Sequence, residues 1–109
     1  MLPKSQRLNL KEKFKWVTSG KRIETHSFKL YLKLGDNSKP LIGIAVPKHI
    51  IKKAHDRNKT KRVISDTINQ FYTSLPNNLN LVIIPKGDIF KENKEQLKDE
   101  LSITQNINH

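Results

Sequence analysis

Residues 41–72 read LIGIAVPKHIIKKAHDRNKTKRVISDTINQFY, which places an apolar run, a basic loop and a helical pattern in succession. The run at 41–46 is continuously apolar, as in a strand that is buried on both faces. Pro47 ends this strand because proline cannot donate a hydrogen bond to a sheet ladder. After Asp56, apolar residues recur at helical spacing as far as about Tyr72. The stretch therefore predicts a strand, a loop and a helix that packs against a core.

The predicted helix separates its apolar and basic side chains onto different faces. With about 100° per residue, the core face collects Val63, Ile64, Thr67, Ile68 and Phe71. The opposite face collects Asn58, Arg62, Ser65 and Asn69. Arg57 and Lys61 fall on one flank, one turn apart, and Lys59 falls on the other. Like charges one turn apart repel by roughly 0.2–0.5 kcal/mol, so fixing them on a packed helix indicates an anionic partner.

On the N-terminal side of residue 41, the sequence predicts a helix and one or two strands. Asn9 begins the helix as its N-cap, and Glu12 follows three residues later in the manner of a capping box. Alternation of apolar and polar residues indicates a strand at 28–34 with one buried face. A short strand at about 22–25 is also expected.

On the C-terminal side of the central helix, a strand and a helix are predicted. The strand at 79–84 is continuously apolar and ends at Pro85. Asp88 is placed to cap the final helix. Its inward side chains are Ile89, Leu97 and Leu101. The tail from Ser102 is expected to fray, and residues 1–109 are expected to form a single α+β domain.

The chain of 109 residues carries a formal net charge of +11, concentrated in two segments. Residues 1–22 hold seven Lys or Arg and one Glu, and residues 48–62 hold seven Lys or Arg and one Asp, so each segment contributes +6. The rest of the chain therefore sums to −1. This imbalance points to a polyanionic partner, which is a nucleic acid, an anionic membrane surface or an acidic protein.

The composition argues against several other classes of protein. There is no cysteine, which excludes disulfides and cysteine-ligated zinc and fits a reducing compartment. No apolar stretch resembles a signal peptide or approaches the length of a membrane span. Metal-ligand spacing is absent among the histidines, which are His26, His49, His55 and His109. Asp66 has no second carboxylate at a useful spacing, so no catalytic acid–base pair is expected.

The block at 42–62 resembles the protein component of bacterial ribonuclease P. The family's signature is an Arg-Asn-Arg-like run, followed by further Lys and Arg, that opens a helix after an apolar strand and a basic loop. The matching positions are Arg57, Asn58, Lys59, Lys61 and Arg62, with a lysine in place of one arginine. The preceding strand with Lys48, the lead-in at 52–55 and the later strand at 81–87 also match. The resemblance runs from about residue 7 to 101.

The resemblance implies both a fold and an activity. The implied fold is a small two-layer α-β-β-(β)-α-β-α sandwich, ribosomal protein S5 domain 2-like, with a left-handed βαβ crossover through the signature helix. In proteins generally, about 98% of βαβ crossovers are right-handed, so the implied left-handed crossover is unusual. The implied activity is removal of 5′ leaders from precursor tRNA, in which the RNA subunit uses Mg²⁺ and performs the hydrolysis. The protein is then a cytoplasmic monomer without a cofactor of its own, in a 1:1 complex with the RNA subunit.

The resemblance also assigns residues to two RNA contacts. The RNA subunit would be bound by Lys48, Lys52, Lys53, Arg57, Asn58, Lys59, Lys61 and Arg62. The leader would lie in a cleft between the first helix and the sheet, against Phe14, Tyr31 and Trp16. Arginine suits bidentate phosphate contacts and lysine provides a mobile charge, while aromatic rings can stack on bases of any sequence. No catalytic residue and no metal ligand of the protein is implied.

Several positions depart from the family's pattern. Ser65, Asp66 and Asn69 stand where members usually carry Arg-Glu and a further Arg. The RNA contact is therefore expected in the first turn and a half of the helix. Thr18 replaces a common second aromatic residue. Phe14 lies on the apolar face of its helix, so packing in the core explains it as well as stacking does.

Two other functions compete with this interpretation. One is a non-catalytic RNA-binding module, such as a ribosomal protein or RNA chaperone, that uses the same basic helix. The other is a basic protein held at an anionic membrane surface. The membrane alternative requires an exposed apolar helix face, whereas here that face is needed for the core.

Overall fold

The structure, a computed structural model, describes residues 2–106 apart from the side chains at 91 and 106. Within these residues the chain forms three α-helices and four strands. They are α1 (Leu10–Thr18), β1 (Lys21–Glu24), β2 (Phe28–Leu34), β3 (Leu41–Ile44), α2 (Ala54–Asn69), β4 (Leu79–Pro85) and α3 (Lys94–Ser102). The predicted α+β class and element order are confirmed, including the short strand β1.

The strands form one sheet in the order β1-β2-β4-β3. The prediction of a strand at 41–46 that is buried on both faces is therefore wrong, because β3 ends at Ile44, lies at the edge of the sheet and has half-buried residues at both ends. β2 pairs antiparallel with β1 and β4, whereas β3 and β4 are parallel. β4 is an inner strand with both faces covered along most of its length, which explains its continuously apolar sequence. A parallel pair requires a crossover connection, and α2 supplies it between β3 and β4. The left-handed sense of this crossover stays a prediction from the resemblance.

The main core lies between the sheet and a layer formed by α2 and α3. Leu30 of β2 and Ile83 of β4 are register partners, and both are completely buried. The helices contribute the buried side chains Ile64, Ile68, Leu97 and Leu101. Burying an apolar side chain of this size stabilises a fold by about 1.5–3 kcal/mol. α2 is therefore held by the apolar face that the sequence predicts.

α1 packs on the opposite face of the sheet and covers only part of it. Val17 of α1 is completely buried in a small cluster with Leu8 and Val82. Gly43 of β3 permits this close approach, because a Cβ at that position would lie 2.5 Å from Cδ2 of Leu10. The uncovered part of this face forms a cleft.

The boundaries of α2 differ from the predicted ones at both ends. The helix begins at Ala54, which places Asp56 in its first turn, where a carboxylate interacts favourably with the helix dipole. It ends at Asn69 and not near Tyr72, because the chain turns through a short 3-10 helix before β4.

The predicted last helix is divided into two elements. Asp88 caps a 3-10 turn at Ile89–Lys91, and its carboxylate accepts a hydrogen bond from the N–H of Phe90 at 2.8 Å. The α-helix α3 starts only at Lys94, where Asn93 serves as the N-cap. The prediction of one continuous helix from Asp88 is therefore wrong.

The C-terminal segment contains more regular structure than the sequence predicts. The frayed tail expected from Ser102 is wrong for residues 103–106, which form a 3-10 turn with Thr104 fully buried. The hydroxyl of Thr104 donates a hydrogen bond to the Leu101 carbonyl at 2.8 Å, which ties this turn to the end of α3. Residues 107–109, which include His109, lie outside the described residues.

Candidate nucleic-acid interface

The eight residues predicted to bind the RNA subunit form one continuous segment, the loop after β3 and the first turns of α2. We call this segment the basic surface. Six of its members are exposed, namely Lys48, Lys52, Lys53, Asn58, Lys59 and Arg62. Arg57 and Lys61 are half-buried. Because α2 turns its apolar face to the sheet, the exposed cations on the helix are directed away from the core.

Arg57 has a structural task besides any contact with RNA. Its Nη1 donates hydrogen bonds to the carbonyl oxygens of Ile51 at 3.1 Å and Lys52 at 2.7 Å. The same loop is closed by N–H donations from Ile50 and Ile51 to the Pro47 carbonyl, both at 3.1 Å. Arg57 therefore fixes the loop that presents the neighbouring lysines, which the sequence pattern did not indicate.

Ser65 does not lie on the outer face of α2, so the sequence prediction for it is wrong. The residue is buried, and its hydroxyl donates to the Lys61 carbonyl at 2.7 Å. The segment before α1 lies beside this part of the helix, because Arg7 and Leu8 line the same cavity as Ser65. Its position is fixed by the Leu8 N–H, which bonds to the Ile42 carbonyl of β3 at 2.9 Å. Asn69 is exposed, as predicted, and so is Asp66.

The same N-terminal segment adds a cation that the site prediction missed. Arg7 is exposed and lines a cavity of about 190 Å³ together with Lys61 and Ser65. Its Nε donates to the Leu2 carbonyl at 2.8 Å, which orients the side chain. The signal available in the sequence was the first basic segment, residues 1–22, to which Arg7 belongs.

A cleft of about 350 Å³ remains open on the α1 face of the sheet. Its lining residues are Glu24, Lys29, Ile50, Ile84, Pro85 and Lys86. The strand register places Glu24 beside Lys29 and Lys29 beside Ile84, so these three form one row across the sheet. The next row on this face consists of Arg22, Tyr31 and Val82. The cleft thus combines an apolar floor with basic side chains.

The aromatic residues predicted to bind the leader are distributed between two places. Tyr31 is half-buried in the row next to the cleft, on the face where the sequence alternation predicts it. Phe14 is 38% exposed, so it lies outside the buried core. It stands three residues before the buried Val17 and therefore on the side of α1 that meets the sheet. Both residues therefore belong to the face of the sheet on which α1 packs, and neither lines the cleft itself.

Trp16 lies apart from the cleft, at the other end of β2. Its ring meets the turn after β2, where a Cβ at Gly35 would lie 3.0 Å from Cη2. The ammonium groups of Lys33 and Lys13 lie 5.0 and 5.5 Å from the ring centroid. Gly35 is six positions from Lys29, or about 20 Å along a strand. These contacts favour packing of α1 against the sheet, and leader binding by Trp16 stays a prediction.

One carboxylate lies among the cations of the cleft. Glu24 accepts from Arg22 Nη2 at 2.6 Å and from Lys86 Nζ at 2.8 Å. These hydrogen bonds, that of Lys86 first, lower the pKa of the Glu24 carboxyl below its usual value. Glu24 therefore stays ionised near neutral pH and neutralises part of the positive charge at the edge of the cleft.

The part of the chain that the structure describes forms neither a metal site nor a membrane span. In residues 2–106, no three His, Asp or Glu side chains gather closely enough to hold an ion. His26, one of the histidines, pairs instead with Glu92 at 3.1 Å. Among the helices of the same region, none has both the length and the apolar character that a membrane span requires.

Solved structures define the class to which this fold belongs. The ribonuclease P protein of Thermotoga maritima matches with a TM-score of 0.82 over 94% of this chain and 98% of its own, at 22% identity. The ribonuclease P protein of Staphylococcus aureus matches with a TM-score of 0.78 over 94% of both chains, at 19% identity. The chain is therefore a small α+β domain with the fold of ribonuclease P proteins.

Sequence comparison identifies the family. The family model described as Ribonuclease P matches residues 2–106. The chain is 30% identical over 102 residues to the ribonuclease P protein component of Legionella pneumophila (strain Lens), covering 93% of this chain and 87% of that protein. A match to the Pseudoalteromonas atlantica component is 37% identical over 62 residues but spans only 51% of its length. The chain belongs to the ribonuclease P protein family, whose members partner the ribonuclease P RNA in tRNA processing.

The dual task of Arg57 yields a prediction about stability. Replacing Arg57 with Ala removes two hydrogen bonds from a charged donor to loop carbonyls, so the free energy of unfolding should fall by about 1.5–3 kcal/mol. The exposed Arg62→Ala change should stay within about 0.5 kcal/mol. Urea unfolding of both variants measures the difference, and equal stabilities would contradict the structural task assigned to Arg57.

Proposed function

We propose that this protein binds the catalytic RNA subunit through the basic surface and holds the 5′ leader of precursor tRNA in the cleft. The RNA subunit, using Mg²⁺, then cleaves the leader to produce the mature 5′ end in the cytoplasm. The observation that carries the proposal is the placement of two basic sites on different parts of one fold. One site is the loop and helix α2, and the other is the partly covered face of the sheet.

The basic surface suits a folded RNA because its cations are fixed and spread over a helix and a loop. Arg62 and Lys59 project from α2, and Lys52 and Lys53 stand on a loop that Arg57 holds in place. Contacts to phosphates release counterions, so affinity should fall by roughly 0.7–0.9 log units per log unit of salt for each contact. A surface of this kind recognises backbone shape without reading base sequence.

The cleft suits a single strand of variable sequence. Ile84 offers an apolar floor, and Lys29 and Lys86 provide charges for the phosphates. Tyr31 and Arg22 extend this surface from the adjacent row of the sheet. Stacking on an aromatic ring contributes about 1–3 kcal/mol per base and tolerates every base. Leaders of different precursor tRNAs can therefore be held in the same cleft.

The protein's part in the reaction is to position its substrate. Residues 2–106 contain no metal-binding cluster, and the proposal assigns both the metal ions and the hydrolysis to the RNA. Holding the leader beside the RNA makes the cleavage step effectively unimolecular, which is a recognised source of rate enhancement. We further propose one protein and one precursor tRNA per RNA subunit.

The two competing functions are less well supported by the structure. Membrane attachment through α2 would require its apolar residues, but Ile64 and Ile68 are at most 1% exposed. An RNA-binding module without a substrate would not need the second basic site on the sheet. The cleft with Lys29, and Tyr31 in the row beside it, therefore favours the ribonuclease P assembly over a general RNA chaperone.

Reconstitution with a bacterial ribonuclease P RNA tests the proposal. At low Mg²⁺ the protein should stimulate cleavage of precursor tRNA at the leader junction. Arg62→Ala should raise the protein concentration needed for half-maximal stimulation by about ten- to a hundredfold, because it removes a charged contact to phosphate. Lys94→Ala, which removes an exposed charge on α3, is the matched control. Absence of stimulation by the unaltered protein would refute the proposed function.

The pairing of Glu24 yields a separate prediction for the cleft. Glu24→Gln releases Arg22 and Lys86 from a competing carboxylate, so a single-stranded leader should bind roughly two- to tenfold more tightly at low salt. Glu95→Gln changes the same charge on α3 and should leave affinity unaltered. Fluorescence anisotropy with a labelled leader oligonucleotide measures both variants. Identical affinities would show that the leader does not contact this part of the cleft.

A further inference from the structure

A second cavity, of about 420 Å³, lies between the loop before α2 and the turn before α3. Its lining residues are Ile50, Ile51, Lys52, Lys53, Asp56, Asp88 and Phe90. We call it the Phe90 cavity. Its volume falls within the range of about 300–1,000 Å³ that is usual for small-ligand pockets. Only Ile50 also belongs to the lining of the cleft, and none of the residues assigned to leader binding lines the Phe90 cavity.

The 3-10 turn before α3 holds the ring of Phe90 towards solvent. Asp88 caps this turn through the Phe90 N–H, and Ile89 is buried at 1% exposure while Phe90 is 40% exposed. A single exposed apolar side chain is common and carries no conclusion. Here, however, the ring lines one cavity with Ile50 and Ile51, so the three residues make part of the lining apolar.

The wall opposite Phe90 is fixed before any partner binds. The N–H groups of Ile50 and Ile51 both donate to the Pro47 carbonyl at 3.1 Å. From the first turn of α2, Arg57 also donates hydrogen bonds to the carbonyls of Ile51 and Lys52. A ligand therefore does not have to order this loop, which lowers the entropic cost of binding.

The charges around the cavity define the class of ligand. Lys52 and Lys53 line it, and the ammonium of Lys59 lies 4.8 Å from the centroid of the Phe90 ring. Asp56 and Asp88 add carboxylate acceptors. An apolar peptide would leave the lysines unmatched, and a simple anion would not use the ring. A nucleotide offers a planar apolar base, N–H donors for a carboxylate and a phosphate for the lysines.

We infer that the Phe90 cavity receives one unstacked base of the RNA subunit. The base stacks on Phe90, and Lys59 moves from the ring to a neighbouring phosphate. The RNA subunit is the source because the cavity is built from the same loop and helix that form the basic surface. RNA-binding proteins commonly recognise such splayed bases by stacking them on aromatic rings. This inference rests on the proposed function of the basic surface.

Binding to ribonuclease P RNA by two variants of Phe90 tests the inference. Phe90→Leu keeps an apolar side chain but loses the aromatic face, so affinity should fall by roughly 5- to 100-fold. Phe90→Trp should retain the affinity of the unaltered protein. Ile103→Ala removes a comparably exposed apolar side chain elsewhere and should have no effect. The slope of affinity against salt should not change, because Phe90 carries no charge.

The outcomes separate this inference from the proposed function. If Phe90→Leu binds as tightly as the unaltered protein, the base site is refuted while the basic surface stands. If the unaltered protein does not bind the RNA at all, the proposed function fails as well. A photoreactive p-benzoylphenylalanine at position 90 provides a readout that does not depend on affinity. Crosslinks should concentrate on one nucleotide of the RNA subunit, and crosslinks to the leader or to many scattered nucleotides would overturn the inference.

Discussion

The packing of α2 on the sheet is the contact on which both the fold and the candidate interface depend. Ile64 and Ile68 are buried against the sheet, each contributing about 1.5–3 kcal/mol. Repulsion between Arg57 and Lys61 costs only roughly 0.2–0.5 kcal/mol. The stabilisation from burial therefore exceeds the cost of repulsion, and the helix holds its cations in place although they repel one another. An anionic partner relieves that repulsion, and the rigid helix reduces the ordering that binding requires.

The same packing divides the surface of the sheet between two tasks. α2 and α3 cover one face and complete the main core, while α1 covers only part of the other face and leaves the cleft. Gly43 allows this arrangement because a side chain there would collide with that of Leu10, which packs against the sheet from α1. Arg57 also serves both the fold and the proposed RNA binding, because its guanidinium supports the loop that carries Lys52 and Lys53.

Periodicity in the sequence predicted β2, α1 and the buried face of α2, because burial forces apolar residues to recur at the period of each element. Continuous apolar runs predicted β3 and β4. It failed for Ser65, since a helical wheel cannot register that a segment far away in sequence covers the outer flank at that position. It also failed at Asp88, which caps a 3-10 turn as readily as an α-helix. The exposure of Phe14 and the contacts of Trp16 depend on how α1 tilts across the sheet.

The basic surface could be predicted because its charges are close together in the sequence. The cleft was harder to predict because its residues are far apart in the sequence. Glu24, Lys29 and Ile84 come from three strands, and only the register of the sheet places them in one row. Arg7 and Phe90 reach α2 from opposite ends of the chain. Such long-range neighbours leave no local pattern. The resemblance implied a cleft between α1 and the sheet, whereas the residues that line the observed cleft come from the strands and the loops and not from α1.

The salt dependence of RNA binding tests the central claim most directly. The logarithm of the affinity for ribonuclease P RNA should fall linearly with the logarithm of the salt concentration. A variant in which Lys59, Lys61 and Arg62 are all replaced by Gln should show a slope that is shallower by roughly 0.7–0.9 for each phosphate that these side chains neutralise. The Lys94→Gln variant should keep the slope of the unaltered protein. An unchanged slope in the triple variant would contradict the assignment of α2 as the RNA-binding element.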